Sequence, residues 1–298
     1  KKLSLFCNVP LHAVIEERDV QHTIYELPLV LAEQGLDEII MVHFRMARPP
    51  AKMQPWKKLI DTIIHPKRTV RIAVVGKYSE LQDAYKSIFE AIYHGGFAHE
   101  AKVEIVKIAA EEIEEGKGLD ELNLVDGILI PGGFGERGIE GKIMAIRHAR
   151  KHGIPFFGIC LGLQCAVIEF ARNVCGLQGA HTTEIRKDAP HPVVCLMEEQ
   201  EQVVDLGGTM RLGAWPCVLK KGTKARQAYG VEKIGERHRH RYEVNNKYRA
   251  ILQEKGMVLS GLSPDNNLVE VIELADHPWF VACQFHPEFK SQPVAPQP

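Results

Sequence analysis

Residues 155–162 read Pro155-Phe156-Phe157-Gly158-Ile159-Cys160-Leu161-Gly162, and Leu163 to Ala171 continue with an apolar helical period. A short apolar run passing straight into a helix, with glycine on both sides of the bend, reads as a strand, a sharp elbow and a helix. The bend residue, Cys160, is lifted clear of the strand with the first amides of a helix beside it, a position suited to a nucleophilic thiol. The other six cysteines, Cys7, Cys165, Cys175, Cys195, Cys217 and Cys283, lack that setting and read as buried and inert.

Outward from the elbow, strand-like and helical stretches alternate. Upstream lie apolar runs at Val70 to Val75, Val103 to Ile108 and Gly127 to Ile130. Helical stretches run from about Asp83 to Tyr93, ending at Gly95-Gly96, and from Ile139 to Lys151, stopped by Gly153. Strands that are apolar without alternation, separated by helices, imply an α/β fold whose mostly parallel sheet is covered on both faces. Shorter runs from Val193 onward, at Gly208 to Leu212, Cys217 to Lys220, Met257 to Leu259, Leu268 to Leu274 and Trp279 to Phe285, suggest antiparallel additions. At the front, Leu3 to Cys7 reads as a buried strand and Ile24 to His43 as helical material broken at Gly35. Pro49, Pro50, Pro55 and Pro66 bracket one helical stretch, Trp56 to Ile64, as a linker would. Three parts follow: a short α/β segment over 1–48, a linker over 49–68 and a main domain over 69–298.

The 298 residues carry 37 Lys+Arg against 38 Asp+Glu, a net charge of −1, so nothing in the charge points to a nucleic-acid partner. No apolar run reaches the ~18 residues of a membrane span, and the interrupted apolar start is no signal peptide. Seven scattered cysteines without a C-x-x-C pair fit a reducing, cytoplasmic setting better than a disulfide framework or a Cys-only zinc site. The opening without Met suggests a fragment of a larger protein.

A nucleophilic thiol needs a base, and the base an orienting group. His286-Pro287-Glu288 follows the apolar run Trp279 to Phe285, and a strand end there could meet the elbow at one sheet edge. Ile130-Pro131-Gly132-Gly133-Phe134-Gly135 places glycines directly after a strand, where freed amides could face an oxyanion; a phosphate-binding turn or a plain tight turn is equally open. It is not a dinucleotide fingerprint, and Gly76-Lys77-Tyr78 is not a phosphate-binding loop. Arg237-His238-Arg239-His240-Arg241-Tyr242-Glu243 reads as a polar strand near a carboxylate-bearing substrate, since two histidines without a neighbouring carboxylate or thiol do not complete a metal set.

Together, Pro131 to Gly135, Gly158 to Gln164 and His286 to Glu288 resemble the triad-type, class I glutamine amidotransferases. Asp205 to Gly213, Glu236 to Val244, Phe280 to Phe289, Phe6 to Pro10 and Gly76 to Tyr78 resemble the CTP synthase family, over nearly the whole chain. The resemblance implies a flavodoxin-like amidotransferase domain preceded by the end of a P-loop-type synthetase domain, with glutamine hydrolysed here and ammonia passed on to aminate UTP to CTP. It implies Cys160 as nucleophile, His286 as its base and later acid, and Glu288 as orienter. It further implies Gly133 and Leu161 as oxyanion amides, Gly132, Gly162 and Leu163 beside them, and Gln164, Glu184 and Arg241 holding glutamine. Lys2 matches a nucleotide-site lysine, Val20 an adenine contact and Lys86 a lysine of GTP activation. No metal site and no cofactor are expected in this chain. ATP and Mg²⁺ belong to the rest of the synthetase, GTP is an allosteric activator, and the full-length protein is expected to be a homotetramer. The stretch from Glu198 to Val204 is shorter than the family's lid loop, and one more helix is expected beyond Phe289. Other readings are a class I amidotransferase or γ-glutamyl hydrolase with another acceptor, and a catalytically silent interaction module.

Overall fold

The computed structural model describes residues 1–47, 52–77, 82–196 and 210–298. Arg48, Pro49, Pro50, Tyr78, the Glu198 to Val204 loop and the Asp205 to Thr209 string lie outside the described residues. In chain order the elements are α1 (Lys2–Phe6), α2 (Leu27–Glu33), α3 (Leu36–His43), α4 (Gln54–Ile64), β1 (Arg68–Gly76), α5 (Lys86–Ala98), β2 (Ala101–Ala109), α6 (Ala110–Glu114), β3 (Gly127–Ile130) and α7 (Ile139–His152). There follow β4 (Phe156–Ile159), α8 (Leu161–Asn173), β5 (Ala180–Thr182), β6 (His191–Leu196), β7 (Arg211–Leu219), α9 (Lys224–Tyr229), β8 (Lys233–His240), β9 (Tyr242–Val244), α10 (Arg249–Glu254), β10 (Met257–Leu262), β11 (Val269–Leu274) and β12 (Phe280–Cys283).

Nine strands form one sheet in the order β2-β1-β3-β4-β12-β11-β10-β7-β8. The first five run parallel, and β11, β10, β7 and β8 add antiparallel. Successive residues of β1 and β3 alternate between two buried clusters: Ala73, Val75, Ile128 and Ile130 meet α7 and α8 on one face, and Val74 and Leu129 meet α5 on the other. Burial on both faces explains why these strands read as unbroken apolar runs. Strands β5, β6 and β9 make a second, three-stranded sheet. The chain passes between the sheets at Arg241, leaving β8 at His240 and entering β9 at Tyr242.

The front segment docks on α5. Trp56 Nε1 donates to the Tyr25 carbonyl at 2.6 Å, and the Tyr25 hydroxyl lies 2.9 Å from Glu90 and 3.1 Å from His94 Nε2. Two sequence expectations fail here. Leu3 to Cys7 is not a buried strand: residues 2–6 form α1, with Leu3, Leu5, Phe6 and Cys7 exposed. No strand pairs with it among the described residues, and an unpaired strand leaves its amides unmet, whereas helical bonds such as Cys7 N–H to Leu3 O at 2.9 Å satisfy them locally.

The second failure is at Gly95-Gly96, which does not end α5; the helix runs on to Ala98. The two glycines differ in what surrounds them. A Cβ on Gly96 would lie 2.5 Å from Val103 Cγ2 and 2.9 Å from the Ala101 carbonyl, so its bare backbone lets α5 rest on β2, while a Cβ on Gly95 would meet nothing within 4 Å. Elsewhere Pro216 does not split the strand that the sequence suggests as two runs, and β7 is continuous. Gly95→Ala should therefore stabilise the fold by up to about 1 kcal/mol through helix propensity. Gly96→Ala should destabilise it by about 1–3 kcal/mol through overpacking. Urea midpoints at constant m-value check both, and equal effects of the two substitutions would contradict the packing described.

Candidate active site

Strand β4 lies between β3 and β12, with Ile130 opposite Gly158 and Cys283 opposite Ile159. All three run parallel, so their carboxyl ends open on one edge, the usual ligand side of such sheets. Their three following loops carry the glycines Gly132 and Gly133, the elbow cysteine Cys160, and the pair His286 and Glu288. Sequence separations of more than a hundred residues thus collapse to contact because of strand order alone.

The elbow is sharp. Cys160 has φ 53° and ψ −102°, a conformation costing about 1–3 kcal/mol for a residue with a side chain. It persists because its neighbours leave little alternative. A Cβ on Gly162 would fall 2.3 Å from the Ile130 carbonyl, and one on Gly158 would fall 2.8 Å from the carbonyl carbon of Gly162. Helix α8 therefore begins with backbone against backbone on β3 and β4, and the Cys160 amide donates to the Cys283 carbonyl at 2.7 Å. The amides of Leu161, Gly162 and Leu163, in the first helical turn, have no carbonyl one turn back within the helix and remain available to an anion.

His286 Nδ1 lies 2.7 Å from Glu288 Oε1, and the ring stacks on Phe289 at 5.3 Å between centroids. The His286 amide donates to the Arg237 carbonyl at 2.8 Å, tying this turn to β8. Burial opposes charge on the ring, but its interactions with the Cys160 sulfur and the Glu288 carboxylate outweigh it and lift the His286 pKa to about 10. The imidazole is therefore protonated at neutral pH, a proton donor beside the Cys160 sulfur. Gly132 shows how tight the contact is: a Cβ there would lie 2.8 Å from His286 Cε1 and 3.5 Å from the Cys160 Cβ.

A narrow cleft above the sulfur is lined by Gly133, Phe134, Cys160, Gln164, Glu184, His240, Arg241 and Tyr242. It brings a carboxylate and a guanidinium together with the thiol. Burial raises the Glu184 pKa, and the Gly135 amide and the Arg241 charge oppose that rise. Gln164 is buried, with Nε2 donating to the Tyr242 carbonyl at 3.0 Å. Lys86 opens α5 at the surface, next to Tyr85 and Ser87, which line the adjoining cleft with Cys160 and His286. Lys2, exposed in α1, and Val20, partly buried in an irregular stretch, line neither cleft.

Sequence reading missed two residues here. Gln284 is fully buried one position after β12 and points Nε2 at the Cys160 sulfur, 3.6 Å away. Its place two residues before His286 was the available signal. Lys77 Nζ donates to the Phe134 carbonyl at 2.7 Å and so holds the glycine loop from outside. Cys7 is also corrected, being exposed, and Cys175 and Cys195 are only partly buried.

The two strand histidines point the same way, as their spacing predicts, but they do not lack carboxylates: Glu243, at the end of the same string, stands beside His240, and Glu270 of β11 beside His238. His238 Nδ1 lies 2.8 Å from His240 Nε2; His238 Nε2 is 3.7 Å from Glu270, and His240 Nδ1 is 3.5 Å from Glu243. Arg211 joins the two carboxylates, at 2.7 Å from Glu270 and 3.4 Å from Glu243. Burial first, and then the Arg211 charge, hold His238 and His240 down to about 2 and about 3, so both rings are neutral. Among the described residues no group of three or more His, Cys, Asp or Glu side chains could hold a metal ion.

Known proteins resemble the chain along its length. Residues 80–298 match the family described as glutamine amidotransferase class-I, and residues 1–46 match the CTP synthase N-terminus. The chain is 55% identical over 298 residues to the CTP synthases of Moorella thermoacetica and Geobacillus kaustophilus, covering all of itself and 55% and 56% of them. It thus spans about half the length of the curated relatives it matches. A solved structure described as the glutaminase domain of Trypanosoma brucei CTPS with bound acivicin is 38% identical, with a TM-score of 0.72 over 76% of this chain and 89% of that one.

Gly132→Ala should push the imidazole off the sulfur and slow alkylation of Cys160 at neutral pH by about tenfold or more, because acid–base assistance is lost with contact. Gly133→Ala, whose added Cβ would meet Leu161 Cδ2 at 3.5 Å, should leave the rate within about twofold. Mass spectrometry of the Cys160 peptide over time measures both, and equal rates in the two variants would contradict the geometry.

Proposed function

The chain belongs to the class I glutamine amidotransferases, and from that premise we propose that it is the glutamine-hydrolysing part of a CTP synthase. The observation that carries the proposal is the meeting of Cys160, the His286–Glu288 pair and the Gly132-Gly133 loop at the ends of three adjacent parallel strands. The identity to CTP synthases, which extends through the front segment, favours CTP synthesis over a different amidotransferase acceptor. We divide the chain into the end of a synthetase domain over 1–48, a linker over 49–68 and the glutaminase domain over 69–298.

Cys160 is the nucleophile. Its sulfur, having passed its proton to His286, attacks the carboxamide carbon of glutamine, and the oxygen becomes an oxyanion received by the amides of Gly133 and Leu161, with Gly132, Gly162 and Leu163 shaping the same wall. His286 gives its proton to the departing nitrogen, so ammonia leaves and a thioester remains. His286, now neutral, takes a proton from water as that water attacks the thioester; glutamate leaves, and the free sulfur beside the protonated ring is restored. Glu288 orients the ring and stabilises its charged form. Arg241 grips the α-carboxylate of glutamine in a bidentate fork, Glu184 faces the α-amino group, and Gln164 completes the pocket.

This chemistry needs no cofactor: thiol, imidazole, carboxylate and backbone amides suffice. The ammonia then serves a synthetase site where ATP and Mg²⁺ activate UTP, with Lys2 and Val20 as nucleotide contacts and Lys86 in the response to GTP. Seven free cysteines and the absence, among the described residues, of a helix long and apolar enough to cross a membrane accord with a cytoplasmic enzyme, which we take to work as a homotetramer.

Glutamine hydrolysis by the wild-type chain beside Cys160→Ala separates the enzyme from a silent module: the variant should lose all turnover above background. His286→Ala should do the same, and Glu288→Gln should lose less, because the orienter exchanges no proton with the substrate. Arg241→Ala should raise the KM for glutamine by about tenfold or more with a smaller change in kcat. In the full-length parent, Cys160→Ala should end CTP formation from glutamine and leave that from ammonia intact. Glutamine turnover in Cys160→Ala at the wild-type rate would sink the proposal.

A further inference from the structure

Lys142 is placed where a lysine costs stability twice over. It is 1% exposed, one of the largest fully buried side chains among the described residues. It lies in the first turn of α7, its amide bonded to the Gly138 carbonyl, where the helix dipole opposes a cation. A lysine side chain buried to this degree carries a desolvation penalty for its cation. Burial accordingly pushes its pKa down. A methionine would fill the same space with none of these penalties.

The Nζ is at the back of the catalytic loop. It lies 3.8 Å from the place a Cβ on Gly133 would occupy, and Leu161 Cδ2 lies 3.5 Å from that same point. The two residues whose amides are the proposed oxyanion donors thus meet in front of one buried amine. Of the charges that act on it, the Glu111 carboxylate and negative charge on the Cys160 sulfur favour its cationic form, while Lys77, on the outer side of the loop, opposes it.

We infer that Lys142 is a positioning residue of the glutaminase site, its buried cation behind the Gly133 loop favouring negative charge on the Cys160 sulfur and on the acyl oxygen. The inference rests on the glutaminase reading, and it assigns Lys142 no contact with substrate. Surrounded by protein, such a charge acts through low dielectric, so its effect exceeds that of a surface lysine at the same distance.

The test is Lys142→Met, with Lys142→Gln as a second variant, in the whole chain. In both, kcat for glutamine hydrolysis should fall by about tenfold, with KM changed less than about twofold, as expected for a charge that acts on the reacting centre and not on binding. The pH profile of iodoacetamide alkylation at Cys160, read by peptide mass, should move up by about one pH unit. The melting temperature of Lys142→Met should equal or exceed that of wild type. A purely packing role predicts lowered melting with the alkylation profile unmoved, and that result overturns the inference, as do unchanged kcat and profile, or a Lys142→Met chain that does not fold. If the wild-type chain hydrolyses no glutamine, the proposed function falls, while the alkylation profiles still decide the role of Lys142.

Discussion

Backbone-to-backbone packing at the start of α8 is the constraint on which the rest of the site depends. Gly158 and Gly162 bring the helix so close to β3 and β4 that no Cβ fits at either position. That approach forces Cys160 into its positive-φ bend and aims the first-turn amides toward the glycine loop after β3. Because the contact is made by main chain, it involves no rotamer to order and yields little to thermal motion. The strain at Cys160 is stored in a frame that cannot relax without separating a helix from a sheet.

Much of this was legible in sequence, for a definite reason. Strands buried on both faces show as unbroken apolar runs, and the helices between them show their period, so the run from Val70 to Ala171 reads almost element by element. The elbow, the His286-Pro287-Glu288 turn and the glycine loop are local strings at element ends, where sequence and geometry coincide. What escaped was of another kind. Leu3 to Phe6 is equally apolar as strand or helix, and only the absence of a pairing strand among the described residues decides. Gly95-Gly96 looks like a helix stop until Val103 and Ala101, on a different element, supply the reason for a small residue. Lys77 reaches the site through a contact across the fold that no local pattern encodes, and the only local trace of Gln284 is its place two residues before His286.

The two halves of the chain are also physically joined. The Tyr25 hydroxyl meets His94 Nε2 on α5, and His94 Nδ1 lies 3.1 Å from the Ser291 hydroxyl just beyond the catalytic turn. Ser291 N–H in turn reaches the Glu288 carbonyl at 3.4 Å. A polar path of four residues therefore runs from the front segment to the group that orients the base. His94 is buried, and each of its ring nitrogens has a hydroxyl partner.

The cluster of Arg211, Glu243, Glu270, His238 and His240 has a consequence for how such a chain can change over generations. These five side chains come from β7, β9, β11 and β8, all are buried, and each leans on at least one other. Replacing Arg211, or a carboxylate that it pairs with, leaves a charge without its partner, at about 3–5 kcal/mol for a broken buried ion pair, a large part of the 5–15 kcal/mol that holds a typical domain together. Replacing several together with apolar residues of matching shape carries no such penalty. The cluster is therefore a ratchet: descendants keep all five or arrive at a different core by simultaneous steps, and the intermediate sequences are closed to them.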